Sequence, residues 1–212
     1  MSKKDHLTSL SINQKNISPQ PMLIVISGPS GVGKSTLCSR LINEQENIKY
    51  SISCTTRKPR KNEEDGVNYF FLSEKEFNDK IKSGEFLEHA IVHDHQYGTL
   101  QDSILFALKN SHHIILDIDP QGAEQIRKAI SKMNKNDLIV KAYTDIFIMP
   151  PSLMDLESRL SLRNTENKKD IKRRIMAAAK EIESAPLYQY KIINTEIDKA
   201  YEELLLIIEG LS

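Results

Sequence analysis

A glycine-rich segment early in the chain has residue types suited to binding phosphate. Residues 28–35 read Gly-Pro-Ser-Gly-Val-Gly-Lys-Ser and fit the pattern G-x-x-x-x-G-K-[ST]. In such a loop the backbone N–H groups point at phosphate oxygens, Lys34 reaches the outer phosphates and Ser35 binds Mg²⁺. The pattern therefore predicts a nucleoside triphosphate site made by consecutive residues: Gly28, Pro29, Ser30, Gly31, Val32, Gly33, Lys34, Ser35 and Thr36.

Two later fragments match signatures of switch proteins that hydrolyse GTP. Residues 119–122 (Asp-Pro-Gln-Gly) fit D-x-x-G, and residues 134–137 (Asn-Lys-Asn-Asp) fit N-K-x-D. In a switch GTPase these elements follow different strands, so a helix and a strand must separate them. Only residues 123–133 intervene, and their apolar spacing predicts a single helix. We therefore interpret residues 134–137 as a helix-ending turn and favour a kinase.

Basic residues are concentrated in two segments that can also bind phosphate. Residues 57–61 carry four Lys or Arg in five positions, and residues 159–174 carry seven against two acidic residues. Across the chain, 29 basic and 29 acidic residues give a net charge of zero. This balance argues against a nucleic-acid-binding protein with a broad basic face.

Continuous apolar segments predict the strands that position these residues. Residues 22–27, 114–118 and 145–149 are apolar over most of their length, which is typical of parallel strands buried on both faces. The first is followed by the glycine-rich loop and by a helical pattern to about Gln45. A strand, a glycine loop and a helix in this order predict an α/β fold, and a length of 212 residues predicts one domain.

Residues 51–97 have a different pattern, with short alternating segments such as residues 67–72 around one helix. That helix is predicted to begin at Ser73, with Glu76 completing a capping box. We expect a small insertion of antiparallel strands here. Similar helix-start signals are Ser152 with Asp155 and Thr195 with Asp198.

No segment has the composition of a membrane or secretory element. The longest apolar runs, residues 22–26 and 204–208, are five residues each, far below the ~18 needed to span a bilayer. Residues 1–21 are polar, and we expect a flexible leader and a cytoplasmic protein. Cys38 and Cys54 lack metal-site spacing, so we expect reduced thiols in or near the core.

A series of further short segments occurs in a fixed order. They are residues 51–60 (Ser-Ile-Ser-Cys-Thr-Thr-Arg-Lys-Pro-Arg), 66–71 (Gly-Val-Asn-Tyr-Phe-Phe), 84–88 (Gly-Glu-Phe-Leu-Glu), 97–99 (Tyr-Gly-Thr), 116–122 (Leu-Asp-Ile-Asp-Pro-Gln-Gly), 150–152 (Pro-Pro-Ser), the arginine-rich 159–174, and 192–194 (Ile-Ile-Asn). In this order they strongly resemble guanylate kinases, from about Leu23 to Leu211.

The resemblance implies a P-loop fold with three α/β/α layers and three parts. The core has a central parallel sheet, an inserted small mixed β subdomain binds GMP, and a helical lid closes over ATP. The corresponding segments are residues 22–50, 98–158 and 175–212 for the core, 51–97 for the insertion and 159–174 for the lid.

The resemblance also implies a GMP site, whose residues are Ser53, Arg57, Arg60, Tyr69, Glu88, Tyr97, Thr99 and Asp119. Their chemistry suits this role, because arginine forks and phenols bind a dianionic monophosphate. A carboxylate at Glu88 can accept hydrogen bonds from guanine N–H groups that adenine does not present in that arrangement. Taken alone, Glu88 would be interpreted as a surface carboxylate.

The remaining implied roles concern ATP, Mg²⁺ and the transferred phosphoryl group. Arg159 and Asn194 would contact ATP, and Ser35 and Asp117 would bind Mg²⁺, partly through water. The implied catalytic residues are Lys34, Arg57, Arg163 and Arg174. The residues themselves leave other roles open, since Asp117 and Asp119 could cap a helix and Asn194 could flank the last one.

The chain departs from the family pattern in its lid and in one loop. Asn164 follows Arg163 where the family usually has glycine, and Lys168 and Lys169 replace acidic residues. Residues 92–96 lack the usual glycine and paired tyrosine. The expected activity is phosphoryl transfer from ATP to GMP by a monomer or weak homodimer. A silent protein-interaction module, a kinase for another nucleoside monophosphate and the acceptance of dGMP remain open.

Overall fold

The computed structural model of the protein describes residues 20–92, 94–162 and 168–210. The strands are β1 (Leu23–Ser27), β2 (Ile48–Tyr50), β3 (Cys54–Thr55), β4 (Phe70–Phe71), β5 (Phe86–Val92), β6 (His95–Leu100), β7 (His113–Asp117), β8 (Tyr143–Met149) and β9 (Tyr190–Ile193). The α-helices are α1 (Lys34–Glu44), α2 (Glu74–Lys82), α3 (Gln101–Lys109), α4 (Pro120–Ile130), α5 (Leu138–Ala142), α6 (Leu153–Leu162), α7 (Lys168–Ile182) and α8 (Ile197–Gly210).

The larger sheet is parallel, with the strand order β2-β7-β1-β8-β9. Alternate residues of β1 pack on opposite faces. Leu23 and Val25 join a cluster with α3, α4 and α5, whereas Ile24 and Ile26 join one with α1 and α8. Because both faces are covered, the strands are apolar throughout. The predicted three-layer α/β/α core and its central strands are confirmed.

The sheet brings two predicted site segments to one edge. Strand β1 pairs with β7 in a parallel register that sets Ile26 opposite Asp117. Parallel strands end at the same edge of a sheet, so the loop after Ser27 and the loop after Asp117 are neighbours. This edge is where ligands bind in open α/β sheets.

The smaller sheet has the order β4-β3-β6-β5 and is mixed. Strands β3 and β4 are parallel, whereas β6 is antiparallel to both β3 and β5. The mixed β insertion implied by the resemblance is confirmed, and the antiparallel strands expected from the pattern alone are corrected by the parallel pair. The strand predicted over residues 67–72 forms only as Phe70–Phe71, because Val67 and Asn68 donate backbone hydrogen bonds back to Glu64 in a turn. Beneath the sheet, α2 begins with the predicted capping box of Ser73 and Glu76.

Several predicted boundaries fall inside continuous elements. Strand β6 pairs with β5 as far as Leu100, so the boundary predicted between residues 97 and 98 lies within a strand. The segment 159–174 covers the end of α6 and the beginning of α7. Thr195 was predicted to precede the last helix directly. Helix α8 begins at Ile197, so the residue directly before it is Glu196. The turn predicted at residues 134–137 does link α4 to α5, where Asp137 accepts a hydrogen bond from Ile139 N–H at 2.9 Å.

Two further expectations concern thiols and membranes. Cys38 on α1 and Cys54 on β3 are free and buried, as predicted. Among the helices in the described ranges, none is both long and apolar enough to cross a bilayer. The leader predicted at residues 1–21 lies outside the described residues up to position 19.

Candidate active site

The glycine-rich loop joins β1 to α1 in a conformation that disfavours side chains at Gly28, Gly31 and Gly33. Gly31 and Gly33 have φ angles of 88° and 102°. A Cβ on Gly31 would lie 2.6 Å from Cδ2 of Leu160, and one on Gly33 would lie 2.5 Å from Nδ2 of Asn194. Glycine is therefore required both by the backbone conformation and by close neighbours.

Lys34 lies at the start of α1 with its ammonium group held by the loop. Its Nζ donates to the carbonyl of Gly28 at 2.7 Å and to that of Pro29 at 3.1 Å. Burial lowers the pKa of Lys34, while the nearby Asp117 carboxylate acts in the opposite direction. A cavity of about 140 Å³ is lined by Lys34, Asp117 and neighbouring residues: Ser30, Gly31, Gly33, Ser35 and Thr36.

Ser35 and Asp117 come together at this cavity. The Ser35 hydroxyl donates to Oδ2 of Asp117 at 2.7 Å. Mg²⁺ in phosphoryl-transfer sites is held by one or two protein oxygens, by substrate phosphates and by water. No group of three or more His, Cys, Asp or Glu suited to a metal occurs within the described ranges. The hydroxyl–carboxylate pair fits a metal ion shared with phosphates.

Asn194 follows β9 and holds the phosphate loop from the side. Its Nδ2 donates to the carbonyl of Val32 at 2.8 Å, and its own carbonyl accepts from Arg159 on α6 at 2.7 Å. The Asn194 side chain is buried, and its Oδ1 has no hydrogen-bond partner among the described residues. The structure thus gives Asn194 a contact with the loop that sequence reasoning missed.

Helices α6 and α7 lie against the same loop. Leu156 and Leu160 of α6 form a cluster with α7 and approach Gly31. On α7, the guanidinium of Arg174 donates to the hydroxyl of Ser30. Of the predicted lid residues, Arg174 is therefore brought to the phosphate loop, whereas Arg159 donates to the backbone carbonyls of Asn194 and Thr195. Arg163 and Asn164 lie outside the described residues.

A turn in the insertion carries the residues predicted to bind a monophosphate. The rings of Tyr69 and Tyr97 meet edge to face at 5.9 Å, and the Arg57 guanidinium lies 5.4 Å from the centre of the Tyr69 ring. Arg57 is paired with Glu63 through two hydrogen bonds of 2.8 and 2.9 Å. The Arg60 side chain is exposed, and its backbone N–H also donates to Glu63.

The other end of the insertion brings together residues predicted to bind guanine. Glu88 on β5 is buried, and its Oε1 accepts from the Thr99 hydroxyl on β6 at 2.7 Å. Burial raises the pKa of Glu88, and the Asp119 charge raises it further. A Cβ on Gly122 would lie 3.4 Å from Oε2 of Glu88 and 3.5 Å from Oδ1 of Asp119, so α4 begins beside both carboxylates.

Two more of the predicted GMP-site residues, Asp119 and Ser53, lie near Glu88 and Thr99. Asp119 is the N-cap of α4, and its Oδ1 accepts from Gly122 N–H at 2.8 Å. This capping role was one of the alternatives left open by the residues. Cys54 pairs with Gly98 in antiparallel register, so Ser53 lies at the level of Thr99.

Sequence reasoning missed two carboxylates of this region. Glu63 was included in no predicted site, although it follows Arg60 by three residues and can close a turn. Glu181 is half-buried on α7, where burial raises its pKa and the charge of Lys34 lowers it. It follows Arg174 by seven residues, so both lie on the same face of the helix, and this spacing could have identified it.

Comparisons with known proteins are consistent with this arrangement. The guanylate kinase family model matches residues 20–211. A guanylate kinase of Caldanaerobacter subterraneus subsp. tengcongensis is 42% identical over 91% of this chain and 89% of its own length, and one of Clostridioides difficile is 41% identical over 90% and 86%. A crystal structure of guanylate kinase from Anaplasma phagocytophilum has a TM-score of 0.65 at 29% identity, covering 92% of this chain and 87% of its own. The family match extends over the loop, residues 51–97 and helices α6 and α7, and the chain belongs to the guanylate kinase family.

Proposed function

We propose that the chain transfers the γ-phosphoryl group of ATP to GMP, forming ADP and GDP. One observation carries this proposal: the segment after β7 links the two candidate sites. Asp117 bonds Ser35 beside the phosphate loop, and Asp119, two residues later, lies beside Glu88. A donor nucleotide on the loop and an acceptor base at Glu88 would therefore share one short segment of chain.

The proposed reaction is an in-line displacement. An oxygen of the GMP phosphate forms a bond to the γ-phosphorus while the bond between this phosphorus and the ADP oxygen breaks. The attacking oxygen is already ionised at neutral pH, so no general base is required and catalysis rests on alignment and charge stabilisation. Mg²⁺, when bound at Ser35 and Asp117, would supply neutralisation of the phosphate charges.

Different basic side chains would act on different phosphate groups. Lys34 would stabilise the charge of the outer phosphates, and Arg57 would orient the GMP phosphate. Arg174, which contacts Ser30 of the loop, and Arg163 would approach the transferred group when the lid closes. We propose the three parts predicted from the sequence, namely a core, a GMP-binding insertion (51–97) and a lid (159–174), acting in the cytoplasm as a monomer or weak homodimer.

An acceptor panel tests the proposal. ADP production is followed in a coupled assay with ATP, Mg²⁺ and, separately, GMP, dGMP, AMP, CMP and UMP, with Lys34→Ala as the inactive control. We expect GMP to be preferred over AMP by at least about 100-fold in kcat/KM, since rejection of a base that leaves buried polar groups unpaired is strong. Equal rates with AMP would indicate a kinase for another monophosphate. Binding of GMP without ADP production would indicate an interaction module.

A further inference from the structure

Glu63 is the most completely bonded carboxylate of the insertion, and no role in the proposed reaction has been given to it. Its Oε1 accepts from NH2 of Arg57 at 2.8 Å, and its Oε2 accepts from NH1 of the same guanidinium at 2.9 Å. Oε2 also accepts from the backbone N–H of Arg60 at 2.8 Å. The Arg57 and Glu63 side chains are only 14% and 16% exposed, so the pair is largely shielded from water.

The pairing decides which edge of Arg57 can bind an oxyanion. A guanidinium has five N–H donors, arranged along two edges that can each form a fork. The NH1–NH2 edge is used by Glu63, and NH1 also donates to the carbonyl of Lys58 at 2.9 Å. The fork left for a phosphate is the Nε–NH2 edge.

Two roles for Glu63 are conceivable, as a competitor of the phosphate or as a support for Arg57. The backbone contacts favour a support. Glu63 N–H donates to the carbonyl of Arg60 at 3.0 Å while its carboxylate accepts from Arg60 N–H, so the two residues close a turn. To leave Arg57, the Glu63 carboxylate would also have to give up its hydrogen bond from the Arg60 backbone N–H. We therefore expect the carboxylate to stay in place when an anion binds at the other edge of the guanidinium.

We propose that Glu63 is a positioning residue for the monophosphate of the acceptor nucleotide, acting through the orientation of Arg57 and the turn that carries Arg57 and Arg60. The inference rests on the proposed GMP-binding function. It explains why one negative charge is retained in a site for a dianion: the loss of attraction is offset by a guanidinium that is oriented before the ligand binds. The guanidinium of Arg57 holds the pKa of Glu63 well below its usual range, so the carboxylate is ionised at neutral pH.

The first test compares Glu63→Gln with Glu64→Gln in the full chain. Glu64 is the exposed neighbour on the same turn and serves as the matched control. The amide of Glu63→Gln offers one acceptor and presents a donor to the guanidinium, so one of the two Arg57 bonds is lost. We expect KM for GMP to rise by up to roughly tenfold, because Arg57 would no longer be oriented before GMP binds. KM for ATP should stay within about twofold in both variants, and KM for GMP should be unchanged in Glu64→Gln.

A double-mutant cycle tests whether Glu63 acts through Arg57. GMP binding is measured by calorimetry for the original chain, Glu63→Gln, Arg57→Ala and the double variant, with melting temperatures as a check on folding. We expect Glu63→Gln to weaken GMP roughly tenfold in the original chain and less than threefold in the Arg57→Ala background. Equal losses in both backgrounds would overturn the proposal. So would tighter GMP binding by Glu63→Gln, which would identify a competitor, or a matching loss of ATP affinity, which would identify a general structural role.

The calorimetric experiment also separates this inference from the proposed activity. If the original chain binds GMP but forms no GDP, the proposed function fails while the cycle still tests Glu63. If the original chain does not bind GMP at all, both fail.

Discussion

The phosphate loop and the insertion are two binding regions built in different ways. In the loop, consecutive residues supply most contacts, and Lys34 is held by the carbonyls of Gly28 and Pro29 from the same segment. In the insertion, the candidate site combines side chains from separated elements, such as Glu88 on β5 with Thr99 on β6. The first depends on a local backbone conformation, and the second depends on sheet pairing.

The two ends of the insertion also differ from each other in how a carboxylate is held. At one end, two N–H groups of Arg57 donate to the Glu63 carboxylate and lower the pKa of its carboxyl. Glu88 is buried with the Thr99 hydroxyl as its partner, and the pKa of its carboxyl is raised. A carboxylate with unmet hydrogen-bonding capacity gains most from a ligand that donates N–H groups. The phosphate end is thus organised by its own residues, whereas the base end is completed by the ligand.

The largest effect is expected at the loop, where one side chain serves the chemistry directly. Lys34→Ala should lower kcat by about 100-fold or more, because a contact to developing phosphate charge is removed. Circular dichroism should show an intact fold, and Lys128→Ala, on the exposed side of α4, should leave steady-state rates unchanged. Near-normal turnover by Lys34→Ala would mean that the loop is not the catalytic region.

A smaller effect is expected at the base end, and it should appear in selectivity. Glu88→Gln replaces an acceptor with an amide that must also present a donor. The kcat/KM for GMP should fall by roughly 1.5–3 kcal/mol in transition-state terms, while AMP gains relative to GMP. Steady-state rates with both nucleotides provide the ratio, and KM for ATP is the internal control. An unchanged GMP:AMP ratio would show that Glu88 does not recognise the base.

The contact between the loop and α6 can be tested with a pair of glycines. Gly31 and Gly84 both have positive φ, but a Cβ on Gly84 meets nothing within 4 Å whereas one on Gly31 meets Leu160. Gly84→Ala should lower the free energy of unfolding by about 1 kcal/mol through backbone strain alone. Gly31→Ala should lower the free energy of unfolding by about 1–3 kcal/mol more, because the added methyl group overpacks the contact with α6. Urea unfolding provides both values, and equal losses would show that α6 does not press on the loop.

The smallest effect is expected on the stability of the fold, which the buried charge of Glu88 lowers. Its pKa is raised in the folded chain, so stability linked to this carboxyl is complete below the unfolded-state pKa and is lost as pH rises through the folded-state pKa. Glu88→Gln keeps an acceptor for Thr99 without the buried charge. Its melting temperature should exceed that of the original chain by about 2–4 °C at pH 7, as ~1 kcal/mol produces in a domain of this size. The difference should vanish near pH 4, and a constant difference would assign it to packing.

The contrast between the regions also explains what the sequence could predict. The loop was predicted residue by residue, because its contacts are between neighbours in the chain. The capping box at Ser73 and the buried strands were also local signals. The contacts of Glu63 were missed because a carboxylate within a charged segment is normally interpreted as solvent-exposed. The turn that brings it to Arg57 is visible only in the structure. Glu88 entered the predicted site only through the family resemblance, since its burial depends on β6 and α4.

Boundaries failed for a related reason. The insertion was predicted to end at residue 97, but strand β6 continues through Gly98 and Thr99, which pair with β5. Similarly, the alternation at residues 67–72 is interrupted by a turn to Glu64 that no two-residue period reveals. Contacts made across a sheet or a turn set these limits, and a single sequence does not carry them.

If the phosphate loop and the insertion cooperate in direct phosphoryl transfer, the γ-phosphoryl group of ATP must pass to GMP itself. ATP labelled in its γ-phosphate is incubated with the full chain, Mg²⁺ and GMP, and the label is followed in the separated products. We expect labelled GDP in an amount equal to the ADP formed, with little labelled inorganic phosphate, because closure excludes water from the reaction. ADP formation with the label in inorganic phosphate and none in GDP would contradict it.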